Sequence, residues 1–145
     1  MADPMAPDDV LRACGYLEAV WREDAADMAA LLTCEPGETA TAVLLAELGD
    51  NIMQRMFPPQ FGVRDGLSAR DLADAAERMS SDPTVRVSTV LLETLKAIAV
   101  AATPDQAEIV ARSLIEYLLA ISDATPDDVL PMLHTLRQSA LQRDS

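Results

Sequence analysis

Two cysteines, one histidine and a scatter of carboxylates are the residues that could do chemistry in this 145-residue chain. Cys14 and Cys34 lie 20 residues apart, and His134 stands alone near the other end. Two thiols and one imidazole fall short of the four ligands of a structural zinc site. Neither cysteine sits in a pattern that marks an activated nucleophile. The opening residues Met1-Ala2-Asp3-Pro4-Met5 lack the basic and apolar regions of a secretory signal. Free thiols in a cytoplasmic protein are therefore expected rather than a disulfide.

Two carboxylate groups carry spacing worth testing. Glu23-Asp24-x-x-Asp27 superficially resembles the aspartate-rich motifs that hold magnesium and diphosphate in prenyl-transfer enzymes. Those enzymes are large helical bundles with two such motifs; this chain is short and offers no second one. Asp71, Asp74 and Glu77 share one helix face, with Arg78 four residues after Asp74. That spacing gives ordinary surface ion pairs, each worth about 0.2–0.5 kcal/mol. The Glu-x-x-His element of carboxylate-bridged di-iron bundles is missing, as are a glycine-rich phosphate loop and a Gly-x-Ser-x-Gly elbow. No catalytic residue, metal or cofactor is nominated.

Charge narrows the partners. There are 24 acidic and 11 basic residues, a net charge of −13. The excess is spread evenly: residues 1–72 hold 13 acids and 5 bases, and residues 73–145 hold 11 and 6. Without a basic stripe, direct nucleic-acid binding is disfavoured. The acidity either keeps a helical protein soluble or meets a basic partner, including an enzyme that would otherwise bind nucleic acid. Half the residues are hydrophobic, too many for a disordered chain. No uncharged run exceeds eight residues, whereas a membrane-spanning helix needs roughly 20.

The elements that would position these residues are helices. Val10, Cys14, Leu17, Trp21, Ala25, Met28 and Leu32 step by three or four, which predicts one continuous or gently kinked segment over 8–33, with Asp24 available to cap a second helix instead. Glu35-Pro36, Asp82-Pro83, Thr103-Pro104 and Thr125-Pro126 each set a polar residue before a proline, the signature of a helix start. Helices are thus expected over 37–56, 68–80, 84–102, 104–123 and from about 126, the last kinked or restarted at Pro131. The two most apolar, 84–102 and 104–123, should form the heart of the core, with Val90, Leu91, Leu95, Ile98 and Ala102 facing inward on the first. Leu91 and Leu95 on the first and Leu114 and Leu118 on the second should be deeply buried.

The fold class is all-α: a compact bundle of about six helices arranged as antiparallel α-hairpins. A weak repeat at an offset of 47 pairs Asp27, Pro36, Val43, Leu44, Leu45 and Leu48 with Asp74, Pro83, Val90, Leu91, Leu92 and Leu95. One domain over 8–142 is expected, with a disordered or extended segment 1–7 and a tail 143–145. The apolar faces are wide for so few helices. Either the N-terminal helix covers them, or a second copy does, with the Val10–Leu32 stripe as the seam of a homodimer.

The connection Phe57-Pro58-Pro59-Gln60-Phe61-Gly62-Val63-Arg64-Asp65-Gly66 holds both phenylalanines, adjacent prolines and two glycines, and is expected to be a loop. Phe57 and Phe61 either plug the end of the bundle or, with Arg64, present an aromatic anchor to a protein partner. The function this supports is a non-enzymatic helical interaction module, an adaptor or regulator. The alternatives are a helical small-molecule-binding protein or enzyme with an inter-helix pocket, and an acidic inhibitor of a nucleic-acid-binding protein.

Overall fold

The computed structural model describes residues 5–143 and is all-helical: among the described residues there is no strand. Seven helices follow one another: α1 (Pro7–Trp21), α2 (Ala25–Leu32), α3 (Thr41–Gln60), α4 (Ala69–Ser81), α5 (Pro83–Ala99), α6 (Pro104–Ser122) and α7 (Val129–Arg143), the last entered through a single 3-10 turn, Pro126–Asp128. They pack together as a compact bundle. Of the expected N-terminal extension, residues 1–4 lie outside the described residues; Met5 is buried and Pro7 already opens α1. The expected tail likewise falls outside beyond Arg143.

The N-terminal segment is two helices, not one. Glu23 adopts a left-handed conformation, φ 57°. The Asp24 amide then bonds the Ala19 carbonyl while the Glu23 amide bonds Val20, closing α1 as a Schellman motif. Asp24 next accepts a hydrogen bond from the Asp27 amide and starts α2. The apolar phase runs through this break unaltered, which is why periodicity alone reads one helix. Ala25, expected on the apolar stripe, is exposed as a result.

Glu35-Pro36 does not start a helix either. Pro36 and Gly37 form a turn, with Gly37 at φ 91°, and α3 begins at Thr41. Its far end moves by the same amount. The adjacent prolines Pro58 and Pro59 lie inside the last turn of α3, where each lacks an N–H donor but keeps the φ of about −65° that a helix needs. The helix ends only at Phe61, where Gly62, φ 82°, lets its own amide reach Pro59 and the Val63 amide reach Pro58. The expected ten-residue loop therefore shrinks to a turn, Phe61 to Ser68.

The other starts stand as expected. Ser68, Asp82 and Thr103 each accept a bond from the amide three residues on, and Gln106 returns the favour to Thr103 as a full capping box. Pro131 falls in the first turn of α7, where its absent N–H costs nothing.

α1 packs against α2, α3, α6 and α7, and α3 packs against α1, α5 and α6. The core centre is thus α1, α3 and α6, not the pair α5 and α6. Leu95, Leu114 and Leu118 are deeply buried, but the inward side of α5 is Ser88, Leu92, Leu95 and Ala99. Leu91, Ile98 and Ala102 are only partly covered, and Val90 points outward, 68% exposed. α1 covers the core from within one chain: Val10, Cys14 and Leu17 are buried, while Trp21, Met28 and Leu32 of the same stripe are partly covered.

Candidate functional site

The cysteines occupy separate environments. Cys14 is fully buried on α1, and burial pushes its thiol up to about 11. A thiol held protonated is a poor nucleophile. Cys34 is partly exposed in the α2–α3 turn, where Arg12 donates to its sulfur at 2.8 Å. The same guanidinium donates to the Leu31 and Thr33 carbonyls and to Glu38. Arg12 is thereby a clamp that holds the turn onto α1. His134 is exposed on α7.

The carboxylate groups resolve into structural parts. Glu23 is the left-handed residue that ends α1, and Asp24 caps α2. Asp71 lies in the first turn of α4, favourable to the helix dipole, while Asp74 and Glu77 are exposed. Arg78 forms no pair with Asp74; it reaches back and donates to the Phe61 carbonyl at 3.0 Å, completing the C-cap of α3. Among the described residues no three His, Cys, Asp or Glu side chains gather as a metal site. Nor is any described helix long and apolar enough to cross a membrane.

The extra helical turn sets Phe57 and Phe61 one turn apart at the end of α3, in different degrees of burial. Phe57 is 4% exposed, outside the main core cluster, so it has no surface to offer a partner. Phe61 is half-buried at the helix end, and Arg64 is exposed in the turn after it.

Two predominantly apolar surfaces stand out among the described residues. One is a cavity of about 200 Å³ between α1, α3 and α7, walled by Val10, Leu48, Ile52, Met56 and Leu136, with Asn51, Arg55 and Ser139 as its polar groups. The other is the outward face of α5. Val87 and Val90 are each 68% exposed there, and with Pro83, Arg86, Leu91 and Thr94 they form an open apolar trough. Thr94 adds little polarity, because its hydroxyl donates back to the Val90 carbonyl. Val100, 77% exposed just past the end of α5, lies instead beside Leu32, Ala42 and Ala107.

The physical cause is a helix with two apolar faces. Ser88, Leu92, Leu95 and Ala99 step by three or four and are buried; Pro83, Val87, Val90, Thr94 and Ala97 step the same way on the opposite side and are exposed. α5 has neighbours on the first side only: α3, α4 and α6. The double periodicity is the signal that the inward assignment of Val90 passed over. Comparison with family models, with curated proteins and with solved structures finds no match to this chain.

Proposed function

We propose that the chain is a non-enzymatic helical interaction module that docks a protein partner through the outward face of α5. The observation that carries this is the contiguous apolar trough over Pro83, Val87, Val90 and Leu91 on an otherwise acidic protein. Exposed apolar patches of this kind, rimmed by polar residues, mark association surfaces. Phe61 and Arg64, at the end of α3, are a second contact that such a partner could use. A cytoplasmic setting suits the two free thiols.

The test is partner capture by the intact chain carrying Val90→Glu or Phe61→Ala. Val90→Glu should weaken partner binding at least tenfold, about 1.4 kcal/mol, with little change in melting temperature. Unchanged binding would remove α5 as the docking face. A second reading has its own observation, the cavity between α1, α3 and α7. If the protein carries a small apolar ligand there, native mass spectrometry should show a bound mass that Ile52→Trp displaces.

A further inference from the structure

Arg86 and Glu93 are seven residues apart, nearly two whole turns, so both stand on one edge of the Val87–Val90 stripe. Val90 lies beside the midpoint between them. When two copies of a helix pack antiparallel about a two-fold axis, like edges face one another and positions pair in reverse order. An axis beside Val90 sets that valine against its counterpart, Pro83 against Ala97, and Arg86 against Glu93. Symmetry makes the charged pair twice. A patch that meets a copy of itself must be complementary to itself, and this one is.

The charges are placed to serve such a pair. The Arg86 guanidinium has no partner among the described residues, and Glu93 meets only Lys96, at 3.2 Å on its own helix. α5 also carries one acid and two bases within a chain of net charge −13. Two copies can therefore approach through α5 without the repulsion their acidic surfaces would otherwise impose.

We propose that the occupant of the α5 face is a second copy of this chain, packed antiparallel across Val90 with reciprocal Arg86–Glu93 pairs. The proposal rests on the assignment of α5 as the docking face and names what docks there. A helix of 17 residues is about 25 Å long. One such helix pair covers less than the roughly 1,600 Å² of a standard stable interface, so the dimer is weak, with a dissociation constant on the order of tens of micromolar.

Sedimentation equilibrium from about 5 µM to 1 mM tests it, with circular dichroism confirming that each variant is folded as the wild type is. The wild-type chain should shift from monomer to dimer across that range. Arg86→Glu and Glu93→Arg, each of which sets like charges across the seam, should weaken self-association at least tenfold. An equimolar mixture of the two variants should associate about as tightly as wild type, because an all-acidic edge then meets an all-basic one. A wild-type chain monomeric at 1 mM, or a mixture no tighter than either variant alone, overturns the homodimer. The two assignments fail separately. If the wild type stays monomeric while Val90→Glu still abolishes capture of another protein, the homodimer falls and the docking face stands. If Val90→Glu alters neither self-association nor capture, both fall.

Discussion

Gly49 sits in the middle of α3, where a glycine is expected to be a defect. Replacing it with alanine ordinarily stabilises a helix by about 0.5–1 kcal/mol. Here a Cβ would lie 2.8 Å from Leu92 Cδ2 and 2.9 Å from Leu114 Cδ1. Carbon atoms in contact prefer about 3.5–4.0 Å, so each methyl must move by roughly 1 Å. Both leucines are buried, so their methyls can move only by pressing on other core side chains. Overpacking of this kind costs about 1–3 kcal/mol. Subtracting the helix gain leaves Gly49→Ala destabilising by up to about 2.5 kcal/mol, a fall in melting temperature of up to about 10 °C for a domain near this size. Gly15 is the control. It is also mid-helix, in α1, but its Cβ would meet only Leu31 Cδ1 at 3.6 Å, an ordinary contact. Gly15→Ala should therefore raise stability by about 0.5–1 kcal/mol. Urea unfolding of both variants beside wild type, followed by circular dichroism at 222 nm, measures the two signs in one experiment. A Gly49→Ala protein that gains as much stability as Gly15→Ala would refute the close approach of α3 to α5 and α6.

Three further outcomes follow from single residues. Glu23→Gly should stabilise the protein by about 1 kcal/mol, because it relieves a left-handed non-glycine residue at the end of α1; a lower melting temperature would mean that the α1–α2 break is not built this way. Phe57→Ala should cost about 3–5 kcal/mol in urea unfolding and Phe61→Ala about 1 kcal/mol, reflecting full against partial burial; equal losses would contradict the packing of the α3 terminus. The hydrogen bond from Arg137 at 2.9 Å, reinforced by the charges of Arg137 and Arg22, holds the Glu18 carboxyl below its ordinary value of 4.5. A depressed folded pKa contributes stability that is present above that value and lost as pH falls through the folded one. Glu18→Gln should thus flatten the acid limb of the stability profile below about pH 4.5, and a Glu18 titration by NMR at or above the ordinary value would refute the pair.

How far the sequence could be read depended on which signal each boundary used. Starts marked by side-chain chemistry were legible: Ser68, Asp82 and Thr103 cap the helices their sequences announce. Ends marked by backbone conformation were not. α1 stops at left-handed Glu23, a residue type that carries no such signature, and α3 continues through two prolines to Gly62; of these, only α6 ends where expected, at Ser122 before left-handed Asp123. The paired prolines misled because a proline removes its own donor but only disfavours a helical residue before it, and Phe57 and Pro58 stay helical within α3. The proposed repeat shows the same limit. Leu45 and Leu92, and Leu48 and Leu95, are buried alike, but Val43 is partly covered by the core while Val90, its counterpart, faces outward.

That divergence bears directly on the candidate site. Val43 and Val90 have the same residue type, the same offset from a buried leucine pair and the same helical phase. What separates them is the neighbourhood: α3 is enclosed by α1, α5 and α6, whereas α5 lies at the rim with α4 beside it. α4 cannot close the gap, since only Ala75 among its side chains is buried and Leu72 is left half exposed. Burial is a property of how many elements surround a face, and periodicity reports only that a face exists. A helix apolar on two sides, in a chain with enough helices to cover one, is therefore the pattern by which amino-acid order alone can reveal a docking surface.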